Sequence, residues 1–496
     1  MNFLGISFRN HDANISYSYE NKVKYIKFER EFNQKHLGCT DYFFIQHVLD
    51  KWKIDISKID AVAYVTDMSF FKLPYYSENL VEELKPDDWF LNKFKCPFFK
   101  IDHHYAHVLS LWPIVNKSDV DFVLDGVGDF EKTYSIFKNN TLIKSWDIDE
   151  AESIGRILPQ LAESNNIQGH GQDLAGKLMG LKSYGNINFN FCNLFKDEIT
   201  EMRKLFSERK YYTLNNKEEK NPLNRLASIH YKCENIILNH FNNYANEKDI
   251  ITYSGGVAQN SVINGLLKKK FKNLHIPPHC PDEGLSLGLI EYLRKHYKQE
   301  PFENKNFPYW QDDIAPNSTP TSETINKIAE ALAQGKIVGW YQGHGELGPR
   351  ALGNRSILMN PSIKNGKNIL NERVKKREWF RPFGVSVLEN HVKKYFNFEG
   401  TSEYMLYVTD IKDKENFPSI THIDGTCRIQ TVNYENNNLY YLLLNKFYEL
   451  TGIPMLLNTS LNVNGFPICS KPVYALQIFN NSEIDILVIG DEIYTK

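Results

Sequence analysis

The sequence predicts an α/β protein in two parts, and three observations predict it. A strand, an acidic turn and a hairpin follow one another twice in the first third of the chain. A Pro-, Asn- and Ser-rich stretch breaks the text near residue 315, and strands and helices alternate again beyond it. The 496 residues are enough for two or three cores. With 42% hydrophobic and 24% charged residues, the composition excludes a disordered chain and a small stapled scaffold.

The elements follow in order. Residues 2–8 (NFLGISF) form an apolar strand running into the polar turn His11-Asp12, and two more strands flank Glu20-Asn21. Residues 121–127 (DFVLDGV) repeat the theme, with Gly128-Asp129 in the turn and strands on either side of Asn139-Asn140. Used twice, this is the layout of a duplicated ribonuclease-H-like fold, as in the actin-like ATPase superfamily. Apolar period predicts helices over 41–52 and 228–247 that pack on these sheets. Residues 301–322 lack a sustained period and divide the chain into domains at 1–315 and 316–496. The second domain opens with a helix that stops at Gly335, a buried strand (KIVGWY) and a Gly/Arg-rich loop, and continues as a smaller α/β domain.

Lys+Arg 58 against Asp+Glu 60 leaves a net charge of −2, so no global field draws the protein to nucleic acid or an anionic membrane. Seven cysteines stand singly, without a CxxC pair, which fits a reducing compartment and argues against a thiolate zinc site. The opening MNFLGISFRNHD meets charge too early for a signal peptide, and no apolar run is long enough to span a bilayer. The expectation is a soluble, cytoplasmic protein with no membrane partner. Self-association is compatible with it.

Several constellations could carry chemistry. In Asp102-His103-His104-Tyr105-Ala106-His107, a helix would set His103 and His107 four apart on one face, where two imidazoles can grip one metal ion. Asp125 at a strand end and Asp282 before a helix could bring carboxylates to the same cleft. Ser254-Gly255-Gly256 through Asn260, after a strand, and residues 176–185, with Lys177, both read as phosphate cradles. The strongest signal is residues 343–356 (GHGELGPRALGNRS), with Arg350 and Arg355, followed by Lys375, Arg377 and Arg381 in VKKREWFRPF. Arginine forks among Gly and Pro suit an anion-binding cavity, for phosphate or carboxylate, better than a solvated face. Arg428, Ser460 and Asn462 add polar groups at strand ends. Residues 203–232 with Lys268, Lys269, Lys270 and Lys272 form a locally basic stretch that reads as a solvated helical face or a phosphate track.

Taken in order, the HDA turn, DHHYAH, LDGVGD, GKLMGLKSYG, SGGVAQN, PDEG, GELGPRALGNRS, VKKRE with FRPF, HIDGTCRIQTV and LLNTSLNVNGFPI resemble the O-carbamoyltransferase family of the NodU/CmcH type. The chain departs from that pattern at Lys182-Ser183 and Val473-Tyr474. The resemblance implies an actin-like ATPase-type domain for carbamoyl transfer, followed by a YrdC-like domain that forms carbamoyl-adenylate from carbamoyl phosphate and Mg-ATP. It implies His103, His107, Asp125 and Asp282 as ligands of one metal, iron foremost, and His11 near the reacting centre. Arg350, Lys375, Arg377, Arg381, Arg428, Ser460 and Asn462 fall around carbamoyl phosphate and ATP, with Lys177, Gly255, Gly256 and Asn260 at the nucleotide. The acceptor would be a hydroxyl on a sugar or natural product, or the hydroxymethyl group of a pyrimidine such as 5-hydroxymethylcytosine in DNA. The alternative is an actin-like ATPase or sugar-kinase-like regulator without group transfer, which would have no need of a second anion pocket.

Overall fold

A computed structural model describes residues 1–39, 41–66, 79–84, 93–165, 167–205 and 221–496. Among these, three sheets form. The first contains β1 (Phe3–Phe8), β2 (Asn14–Tyr19), β3 (Lys22–Lys27), β4 (Ala61–Thr66), β5 (Val81–Leu84) and β6 (Phe98–Ile101), in the order β3-β2-β1-β4-β6-β5. The second contains β7 (Val120–Leu124), β8 (Lys132–Lys138), β9 (Thr141–Asp147), β10 (Ile251–Ser254) and β11 (Leu274–His275), in the order β11-β10-β7-β8-β9. Read from the outer hairpin strand, the two share one plan. An antiparallel hairpin leads into a central strand, and the next two strands extend the sheet from it in parallel. Duplication of a ribonuclease-H-like unit is therefore visible in the strand order itself. Both hairpins turn on the polar pairs expected from the sequence. Glu20 and Asn21 have φ of 47° and 62°, and Asn139 and Asn140 have 50° and 59°. Paired left-handed residues match the twist of the flanking strands.

The third sheet is mixed, in the order β15-β16-β14-β17-β13-β12-β18-β19. Its strands are β12 (Val338–Tyr341), β13 (Arg355–Met359), β14 (Gly384–Leu388), β15 (Tyr407–Asp410), β16 (Thr426–Val432), β17 (Met455–Ser460), β18 (Ile486–Ile489) and β19 (Glu492–Thr495). The helices that matter here are α1 (Tyr42–Trp52), α2 (His103–Leu109), α3 (Ile154–Ser164), α4 (Gly171–Leu181), α5 (Pro222–Tyr244), α6 (Ser261–Lys270), α7 (Leu285–His296) and α8 (Ser322–Ala333). Helix α8 ends where expected, with Gly335 at φ 87° just beyond it. Residues 176–185, expected as a phosphate cradle, form the second half of α4 and a short 3₁₀ turn.

Packing joins what the sequence separated. One buried cluster runs from Phe122 and Ile237 in the second repeat to Val385 and Leu457 in the third sheet, across the boundary expected near residue 315. The irregular connector is pinned on both sides. Gln311 bridges to Tyr25 and to Gly345, and its side-chain oxygen accepts the Lys27 N–H at 3.1 Å. Glycines set the closest approaches. A Cβ on Gly265 of α6 would stand 2.1 Å from the Val408 carbonyl oxygen of β15. No helix among the described residues is long and apolar enough to cross a membrane.

Candidate active site

The loop after β6 begins α2, and Asp102 caps it by accepting the Tyr105 N–H. One helical turn then sets His103 and His107 side by side, fully buried. Asp125 enters from the end of β7 and Asp282 from the turn before α7. His103 Nε2 lies 2.8 Å from Asp125 and 3.4 Å from Asp282, and His107 Nε2 lies 3.4 Å from Asp282. Ligand atoms of all four lie within 4.8 Å of one another. Burial and Arg9 push the His103 imidazole down, yet the Asp282 and Asp125 carboxylates outweigh them and raise it to about 10. Two carboxylates in a dry pocket call for a cation between them. His107 Nε2 is buried with no hydrogen-bond partner. Two imidazoles and two carboxylates suit a divalent first-row ion, so these residues fit a metal. Around them, the Gly256 N–H donates to Asp125 Oδ1 at 2.7 Å, and Arg9 lies 3.2 Å from Asp282 Oδ2.

Beside this cluster stands the turn after β1. His11 Nδ1 lies 3.2 Å from Asp12 and 3.8 Å from Asp282. Asp12 is shared with Lys27, at 2.9 Å, and with His36, at 3.2 Å. Lys27 is buried and also reaches Glu29 and Glu283, each at 3.0 Å. Burial would raise the Asp12 carboxyl, but Lys27, His11 and His36 hold it well below the usual carboxylate range.

In the second part, Lys375 ends a π-helical turn (Leu370–Lys375) and donates to the carbonyls of Ser460 at 2.7 Å and Asn462 at 2.8 Å. Arg377 is held by Asn371 Oδ1 at 2.8 Å and lies over the Phe383 ring. Burial and mutual repulsion push Lys375, Arg377 and Arg428 well below their ordinary values. Nε atoms of Arg350 and Arg428 are buried without partners. Glu378 lies 3.5 Å from Arg381 but is tied to Lys177 at 2.5 Å. The cluster is thus a cationic wall still short of anions. It shares one cavity of about 1230 Å³ with Asp125, Asp282 and His11.

Family models described as the carbamoyltransferase N-terminus and C-terminus match residues 6–289 and 329–496. The chain belongs to the carbamoyltransferase family. Nodulation protein NolNO of Sinorhizobium fredii is 27% identical over 525 residues, covering 94% of this chain and 76% of its own. A 3'-hydroxymethylcephem-O-carbamoyltransferase of Amycolatopsis lactamdurans is 30% identical over 251 residues, 49% of this chain and 48% of that one. Among solved structures, T. kodakarensis HypF resembles the chain with a TM-score of 0.40 and 13% identity, covering 60% of this chain and 48% of that one.

In this carbamoyltransferase the residues singled out from sequence gather at the cavity, with two corrections. His11, Lys177, Gly256, Asn260, Arg350, Lys375, Arg377, Arg381, Arg428, Ser460 and Asn462 line it, and His103 and His107 stand behind Asp125 and Asp282. Arg355 does not line it. Fully buried, it donates to Asp313 at 2.8 Å, lies over the Tyr341 ring and braces the loop from within. Gly255 does not line it either: its N–H donates to the Cys280 carbonyl at 2.8 Å, and a Cβ there would stand 2.3 Å from the Leu124 carbonyl oxygen. Sequence reasoning missed Asp12, Lys27, His36 and Asp173. Of these, only Asp12 carried a signal, as the neighbour of His11 in the polar turn. Of the basic stretch, residues 206–220 lie outside the described residues, and Lys269 and Lys272 pair with Asp410 and Glu399 away from the cavity.

Proposed function

We propose that the enzyme is an ATP-dependent O-carbamoyltransferase that uses carbamoyl phosphate by way of carbamoyl-adenylate. One observation carries this reading. A single cavity is lined both by the cationic cluster and by Asp125 and Asp282 of the buried imidazole–carboxylate set. Carbamoyl phosphate is a sluggish partner for a neutral alcohol, and an activated mixed anhydride splits the barrier in two. Arg350, Lys375, Arg377, Arg381 and Arg428 would hold carbamoyl phosphate and the phosphates of Mg-ATP. Water hydrolyses carbamoyl phosphate to carbamate and phosphate. A carbamate oxygen then bonds to the α-phosphorus of ATP, the bond from that phosphorus to the bridging oxygen of the β-phosphate breaks, and carbamoyl-adenylate and pyrophosphate form. Ser460 and Asn462 aim Lys375, and Lys177, Gly256 and Asn260 line the path of the nucleotide.

His103, His107, Asp125 and Asp282 would hold one divalent ion, iron foremost, which when bound supplies Lewis-acid polarisation of the carbamoyl oxygen. His11 would take the proton of the acceptor hydroxyl. The acceptor is a hydroxyl on a sugar or natural product, in keeping with the hydroxymethylcephem in a relative's name. A small acceptor predicts a rate that changes little with salt, whereas a DNA acceptor would make it fall steeply.

The test is exchange of pyrophosphate into ATP, driven by carbamoyl phosphate. His103→Ala and Asp282→Ala are expected to keep exchange while losing acceptor carbamoylation. Arg350→Ala is expected to lose both, by about 10²-fold or more. Exchange lost in the His103 variant, or kept in the Arg350 variant, would overturn the division of roles.

A further inference from the structure

We propose that Asp12 is the positioning residue of the transfer step, fixing His11 in the tautomer that leaves its Nε2 free to accept the hydroxyl proton. This rests on the reading of His11 as the base.

The geometry determines where the ring proton sits. His11 Nδ1 faces the carboxylate of Asp12, at 3.2 Å. A carboxylate only accepts, so Nδ1 must carry the proton. Nε2 has no hydrogen-bond partner among the described residues, and the ring lines the cavity. The step then balances. The hydroxyl oxygen bonds to the carbamoyl carbon, and the bond from that carbon to the adenylate oxygen breaks. Its electron pair leaves with AMP, and the proton passes to Nε2.

Three further observations assign Asp12 to this task rather than to general stability. Its backbone is left-handed, at φ 52°, a conformation that costs most side chains about 1 kcal/mol or more and gathers at functional sites. Its carboxylate is held in place by Lys27, 2.9 Å from Oδ1, and by His36, whose Nδ1 lies 3.2 Å from each oxygen. Asn14 then ties this turn to the second carboxylate. Its amide donates to the carbonyls of Asp12, at 2.9 Å, and Asp282, at 2.8 Å, and its oxygen accepts the Ser286 N–H.

Asp12→Asn is the discriminating variant, because Asn tolerates the left-handed backbone as well as Asp does. Its amide oxygen can still accept from Lys27. Its NH₂ would then face His11 Nδ1, moving the ring proton to Nε2 and removing the base. The same exchange in a Ser-His-Asp triad keeps the geometry and costs about 10⁴-fold in kcat. The expected result is a fall of about 10²–10⁴-fold in kcat for carbamoylation, with acceptor KM within about twofold and pyrophosphate exchange at the wild-type rate. Wild-type kcat in Asp12→Asn beside an inactive His11→Ala would overturn the role of Asp12 alone. A rise in KM with kcat kept, or loss of exchange together with transfer, would make Asp12 merely structural and overturn it too. Full transfer by His11→Ala would instead overturn the underlying reading of the base.

Discussion

Charge balance around the cavity is set residue by residue, and His36 shows it best. Asp12 faces Nδ1 of the ring and Asp173 faces Nε2, His170 stacks on it at 4.7 Å, and Lys27 and Lys35 also pair with the two carboxylates. Burial pushes this imidazole down, but hydrogen bonds to Asp12 and Asp173 raise it from 6.5 to about 9. A folded value above the unfolded one stabilises the fold fully below pH 6.5, and the contribution is lost as pH rises through about 9. Denaturant titrations of wild type and His36→Gln at pH 6.5 and 9.5 should therefore show a shallower loss in the variant; equal losses would contradict the assignment. His36 gave no sign in the sequence, because a lone histidine in a Lys-His pair reads as surface until Asp12 and Asp173 are brought to it. Arg355 shows the opposite error. An arginine among glycines reads as a ligand, yet Tyr341 and Asp313 enclose it completely.

Between elements, the spacing of the metal-type ligands depends on how closely α2 approaches α7. Gly288 makes that approach: a Cβ there would stand 2.1 Å from the Ala106 carbonyl oxygen and 2.9 Å from the Ser110 nitrogen. Gly288→Ala must push α2 away from α7, and with it His103 and His107 from Asp282, at an overpacking cost of about 1–3 kcal/mol. The expected outcome is a folded protein with lowered metal content by elemental analysis; full metal content would show that α2 moves without its ligands. At this level the sequence was informative where local rules act alone. The i, i+4 histidines, the left-handed hairpin pairs and the stop at Gly335 all depend on short-range geometry. The glycines of residues 176–185 do not break α4. Gly176 opens toward the cavity, and Gly180 lets Pro382 approach to 3.0 Å of where a Cβ would be.

At the scale of the whole molecule, duplication was legible because each repeat carries its own strand, turn and hairpin. The union of the parts was not, since it depends on a cluster from Phe122 to Leu457 and on a connector hydrogen-bonded to both sides. That union makes the cationic wall and the imidazole–carboxylate set share one cavity. A labile carbamoyl-adenylate formed at the first would reach the second within that cavity. The central claim is that one chain performs both steps through this space, and mixing two disabled variants tests it most directly. His103→Ala, competent in exchange only, and Arg350→Ala, carrying the intact imidazole–carboxylate set, are combined with carbamoyl phosphate, ATP and acceptor. The account predicts carbamoylated product no greater than the sum of the two variants measured alone. Recovery toward the wild-type rate would contradict it, because the intermediate would then have travelled between molecules.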